Sequence, residues 1–567
     1  MKLLGVLCVL CGLASPALAL DREAFTFTDY NLDVRVEPEQ QRLAARGRIT
    51  LRNDSGLPQK TVVLQISSTL GWRSIKIAGK PADYTSHTYA SDIDHTGALS
   101  EALVSLPQGV LPGNTVELDI GYEGVIPLDA TRLTRIGAPE EKARHSDWDH
   151  IGKAFTAVRG IGYVAWYPVA TEGASLADGD SVPETVGRWK AKETDASMKI
   201  KVARTGEGSA APALCNGEGG VGLYEEMGKS DSAMTNCSYI PLRDTVPFFV
   251  IGNYSAVDHA PINVSYLPGQ DEAAKSFAEI AKEINPGIPR MAGGSDGLQI
   301  IELPDPNDSP FVTAGILLVP LSFPVTNDVE LNMVYAKARH MVLSPRAWIQ
   351  EGLAHYAQAA FIEAQQGRQS ALNYLKAHAP TLVEGEKPAG EKAAVVWQTS
   401  YSLITASVDL RLQTKAMYVW WMLKDILGNL PIEALLDYHA DEDTDAAYMQ
   451  RLIQARSHRD LQWFFDDWVY HDHGLPDFRV ASVYPRKVET GGYMVTVEVE
   501  NLGNAGAEVP MTLRLPETSL SRRIEVRAKS KASIRIESPV LPLEVVLNDG
   551  SVPESDVTNN VYRIEQR

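Results

Sequence analysis

The chain of 567 residues is 44% hydrophobic and 22% charged, an ordinary globular composition with length enough for roughly two to four cores. Its formal charge of −19 excludes nucleic acid and anionic membrane surfaces as favoured partners, and says little about a small substrate.

Residues 1–19 carry Lys2, an apolar run over 3–13 and the small-residue end Ser15-Pro16-Ala17-Leu18-Ala19, the three regions of a secretory signal peptide cleaved after Ala19. Cys8 and Cys11 leave with it, and neither follows the small residue that a lipoprotein site wants. No later stretch approaches the roughly 20 apolar residues of a membrane span, since 417–427 already holds Lys424 and Asp425. The expected location is therefore secreted or periplasmic, with no transmembrane segment in the mature form. In such an oxidising compartment Cys215 and Cys237, the two cysteines that remain, are expected to form one structural disulfide.

Residues 20–258 read as an N-terminal β domain, because short alternating stretches such as Leu32-Asp33-Val34-Arg35-Val36 recur between Asn, Asp, Pro and Gly turns. Within it His145, Asp147, Asp149 and His150 are metal-capable types, read here as a solvated charged loop. From Glu272 the texture becomes helical, with Ala273, Phe277, Ile280, Ala281 and Ile284 on one stripe, and residues 259–475 are expected to be mostly α. Gly293-Gly294-Ser295-Asp296-Gly297 matches a serine-hydrolase elbow but precedes a strand instead of following one, and is read as a turn. Residues 476–567 alternate again and predict a C-terminal Ig-like or adhesion-type β-sandwich. The expected fold class is multidomain α+β.

Chemistry concentrates in the middle region. A thermolysin-like zinc site needs His-Glu-x-x-His on one helix, where residues four apart share a face, plus a glutamate from the next helix; the internal Glu is the general base. Here the stretch 330–340 ends in His340 and precedes Trp348-Ile349-Gln350-Glu351-Gly352-Leu353-Ala354-His355-Tyr356. The second segment resembles the third-ligand helix of the aminopeptidase N family of gluzincin metallopeptidases. That resemblance implies a β-saddle-like start, a thermolysin-like centre and a zinc aminopeptidase activity. It puts Glu351 on the glutamate ligand and His340 on the second histidine, and then Ala336 and Lys337 stand at the first histidine and the general base. Alanine has no donor atom, and a lysine ammonium repels a dication and cannot accept a proton.

A second stretch, 415–428, is similar to the family's Tyr-x-Lys-Gly helix, with Gln413 where the oxyanion-stabilising tyrosine would stand. Thr313-Ala314-Gly315-Ile316-Leu317 occupies the place of the strand whose glutamate holds a free amino terminus, which leaves Leu317 or Leu318 there. Trp166-Tyr167-Pro168 and Leu461 to Trp468 are similar to further landmarks in the same order. With four roles lost, the expectation is a noncatalytic exported homologue that binds a peptide or protein or serves as scaffold, with no cofactor. The rival expectation is an active zinc-dependent hydrolase working through a rebuilt site of His340, Glu351 and His355.

Overall fold

The computed structural model describes residues 20–178, 182–206, 211–226, 229–313, 315–322, 324–385, 402–406, 408–489 and 491–565, so the expected signal segment lies outside the described residues. The chain is a mixed α/β assembly of several sheets. In the first half, Phe25–Glu37 lies inside an eight-stranded sheet, antiparallel to Arg42–Asn53 and parallel to Ser197–Arg204. Its alternate residues Leu32, Val34 and Val36 are buried, as the two-residue period requires. A three-stranded sheet (Gln59–Ser67, Ala98–Val110, Tyr84–Ala90) and a four-stranded sheet (Ala213–Cys215, Phe249–Gly252, Phe155–Val158, His150–Ile151) complete this half. One apolar cluster runs from Ala24 to Ile251. Cys215 and Cys237 form the expected disulfide, which ties the four-stranded sheet to the strand Lys229–Tyr239 of the large one.

The middle region is less purely helical than its periodicity predicts. It holds a five-stranded sheet in the order Ser255–His259, Ile262–Tyr266, Leu298–Glu302, Ile316–Val319, Phe311–Thr313. These strands are three to five residues long, too short for a period to register, and the first hairpin straddles residue 258. Number the helices in chain order: α1 Thr131–Arg135, α2 Glu140–Ser146, α3 Val182–Glu193, α4 Asp271–Glu283, α5 Asn327–Met341, α6 Ala347–Gln366, α7 Arg368–Gly385 and α8 Leu410–Leu427. Helix α5 starts at Thr326, whose hydroxyl accepts from the Val329 amide, and α8 starts at Asp409, whose carboxylate accepts from the Leu412 amide. α6 packs between α5 and α8.

Residues 478–563 form two antiparallel sheets, Phe478–Lys487, Tyr493–Asn501, Lys531–Ser538 and Ser519–Val526, Ala507–Arg514, Glu544–Leu547, Val561–Arg563. Val495, Val497 and Val499 of one and Val509, Met511 and Leu513 of the other are buried. They continue the apolar cluster of the helices, which extends from Ile262 to Val552.

Candidate functional site

Close approach of α6 and α8 sets the site. A Cβ on Gly352 would lie 2.8 Å from the Ala416 Cβ, so only glycine fits, and Trp348 stacks on Trp420 with ring centroids 5.5 Å apart. The same packing buries Glu351, which is 1% exposed, and turns its carboxylate toward α5 and α8. A buried carboxylate must be paired or neutralised. Three groups reach it: the Tyr335 hydroxyl donates to Oε2 at 2.7 Å, Gln413 Nε2 donates to Oε2 at 3.1 Å, and Arg339 Nε lies 2.8 Å from Oε1.

Tyr335 and Arg339 are four apart on α5, one step before the pair Ala336 and His340 expected to face Glu351. Tyr335 and Arg339 are thus the i, i+4 pair that α5 turns toward Glu351. Lys337 points the other way: its ammonium donates to the Ile284 carbonyl at 2.8 Å and the Ala281 carbonyl at 3.3 Å, at the C-terminal end of α4. Burial lowers its pKa, and the helix-end carbonyls favour its charge. It neither repels nor replaces anything in the cleft.

His340 is turned away from Glu351. Its Nδ1 meets the Gly297 carbonyl at 2.8 Å and its ring covers Gly315, where a Cβ would come within 2.5 Å of the imidazole. Gly315 has φ +77°, so both space and backbone demand glycine there. His355 does share a face with Glu351, and its ring packs on Tyr335 at 4.8 Å. Gln358 donates to the Leu331 carbonyl, so its Oε1 must accept; His355 Nδ1, 2.9 Å away, then carries the proton. Burial lowers the His355 pKa and holds it neutral. His340, Glu351 and His355 are thus not brought together, because Gly297 and Gly315 take the first and α5 side chains fill the space between.

Arg339 also reaches out of the middle region, donating from Nη2 to Asp244 at 2.6 Å. Burial opposes its charge, yet Glu351, Tyr335 and Asp244 hold its pKa above the ordinary arginine value. Arg339 in turn holds Asp244 below the usual carboxylate range. Beside this pair lies a cleft of about 240 Å³ lined by Asp244, Thr313, Arg339, His340 and Gln350. Leu317 does not line it. Leu317 pairs with Ile300 and Val312 on an inner strand and is 0% exposed, and the cleft wall is the edge strand's Thr313.

A zinc ion does not fit these residues. The Glu351 carboxylate is already matched by a guanidinium, and neither Tyr335 nor Arg339 offers a neutral nitrogen donor. Sequence reasoning missed Tyr335, Arg339 and Asp244. The first two share the i, i+4 spacing that was sought, one residue earlier; Asp244 has no local signal.

The earlier polar group is not a solvated loop. Asp147 and Asp149 are each 1% exposed. Asp149 accepts from Arg159 Nε at 2.6 Å, Asp147 from Arg132 at 3.3 Å, and Arg159 stacks on Trp148 and Tyr163. His150 Nδ1 meets the Trp148 carbonyl, and the Gly293 to Gly297 segment is a turn before Leu298–Glu302, as read.

No family model matches the chain, and no curated relative does. Among solved structures it is similar to the M1 zinc metallopeptidase of Deinococcus radiodurans, at 14% identity over 79% of this chain and 94% of that one, with a TM-score of 0.47. A point variant of that enzyme aligns over 80% and 96% at 14% identity and a TM-score of 0.48, and the variant bound to Tyr-Ser-Ala gives 0.46. At this likeness the functional reading rests on the site residues themselves. Among the described residues no helix is long and apolar enough to cross a membrane.

Proposed function

We propose that this protein is a catalytically silent, exported relative of the aminopeptidase N gluzincins, which binds a peptide or protein or acts as a scaffold and cuts nothing. The observation that carries this reading is the Arg339–Glu351 pair. A fixed positive charge stands against the one acidic ligand position, where the family's chemistry needs a dication and its bound water. Ala336 cannot take a proton, and Gln413 is spent on Glu351. Export is supported by the character of residues 1–19 and by the Cys215–Cys237 disulfide, a bond suited to oxidising compartments. The small cleft favours capture of a single side chain or chain end over a long peptide.

The test compares unmodified protein with a Tyr335→His, Ala336→Glu, Arg339→His variant for bound zinc and for hydrolysis of aminoacyl anilides. The unmodified protein is expected to be inert, and the variant to bind one zinc equivalent more. Chelator-sensitive cleavage by unmodified protein, abolished by Glu351→Gln, would overturn the reading.

A further inference from the structure

His145, at the last turn of α2, faces a loop of the other half of the molecule. Its Nδ1 lies 3.6 Å from Asp305 Oδ2 and 3.5 Å from Asp308 Oδ1, and its Nε2 lies 3.5 Å from Glu141 Oε1. Ligand atoms of His145, Asp305 and Asp308 all lie within 4.8 Å of one another. These separations are longer than those of well-formed hydrogen bonds, whose heavy atoms sit about 2.7–3.2 Å apart. They match the spacing of neighbouring ligands around a tetrahedral ion, about 3.4 Å for bonds of about 2.1 Å.

A second observation is independent of that spacing. The Asp308 side chain is only 7% exposed, and its carboxylate meets the same His145 imidazole that the Asp305 carboxylate faces. Two carboxylates thus converge on one nitrogen of one imidazole, one of them with little access to water. The loop is also built to present them. Asp305 Oδ1 accepts from the Asn307 amide at 2.9 Å, which leaves Oδ2 for His145, and the Ser309 amide donates to the His145 carbonyl at 3.0 Å.

We infer that His145, Asp305 and Asp308 form a structural site for a first-row transition dication, zinc foremost, with water as fourth ligand. One imidazole with carboxylates suits zinc better than the harder calcium or magnesium. The ion would pin the segment 305–310 to α2 immediately before the edge strand Phe311–Thr313 that walls the cleft. The site is separate from the Arg339–Glu351 pair and stands whether or not the cleft is silent.

The experiment is calorimetric titration of the chelator-stripped full chain with zinc chloride, with calcium chloride as control, alongside Asp308→Asn, His145→Ala and Glu351→Gln variants whose folding is checked by circular dichroism. Asp308→Asn keeps the side-chain shape and removes a buried charge, so it is expected to fold. One zinc equivalent is expected for unmodified protein and for Glu351→Gln, with Kd raised at least about tenfold in both other variants. Absence of saturable zinc binding overturns the inference, and so does binding that survives unchanged in Asp308→Asn or His145→Ala.

Discussion

Arg339 shows how one side chain can match a buried carboxylate and tie it to a distant one. Its guanidinium joins Glu351 to Asp244 and so bridges elements far apart in sequence. A buried ion pair contributes little net stability, but removal of one partner strands the other's charge. Arg339→Met is therefore expected to destabilise the protein by about 3 kcal/mol, and Arg339→Met combined with Glu351→Gln to recover most of that loss. Urea unfolding of the four members of this cycle measures it, and additive single losses would show that the pair is not coupled. The presence of Glu351 and Gln413 at the site was legible from motif spacing. The α5 register was not, because α5 is buried on several sides at once. Val329, Leu331, Met333, Val334, Ala336 and Ala338 are all buried, so the apolar pattern has no single phase that marks one face.

At the level of elements, the motif around Glu351 reflects packing as much as chemistry. Gly352 and Ala416 are the small residues that let α6 and α8 meet, and Trp348 and Trp420 fill the space beside them. The glycine and tryptophan of this helix therefore have a packing role of their own: they hold the helices together whatever Glu351 does. Gly352→Ala is expected to cost about 1–3 kcal/mol, because the added methyl meets the Ala416 Cβ and the Trp420 ring and neither is the loose end of a flexible chain. A lowered melting temperature with unchanged far-ultraviolet circular dichroism is the expected signature, and an unchanged midpoint would mean that the helices separate freely. The helices and the longer strands were readable from period. The short strands of the five-stranded sheet were mostly not, since their burial leaves neither alternation nor length as a signal.

Across the whole molecule, sequence texture marks three regions, but the apolar clusters divide the chain mainly in two, with a smaller cluster around Trp148, Phe248 and Leu318 between them. The terminal sheets are not an appended module. Asp425 of α8, 6% exposed at its side chain, accepts from Arg368 at 2.9 and 2.7 Å and from Arg523 of the terminal sheets at 3.2 Å. Trp468 donates to the Gly506 carbonyl at 2.7 Å, and the Gly506 amide donates to Asp467. Contacts of this kind join residues dozens of positions apart and leave no periodic trace in the sequence, so the break at Gly474-Leu475-Pro476 reads as a boundary while the core runs through it. A continuous core predicts one cooperative unit. Asp425→Asn, which leaves Arg368 and Arg523 with reduced compensation, is expected to cost about 2–3 kcal/mol. It is also expected to speed hydrogen exchange equally in peptides from α8 and from Ala507–Arg514. Exchange that accelerates in the terminal sheets alone would show instead that they open as a separate domain, and the helical region would then have to be stable without them.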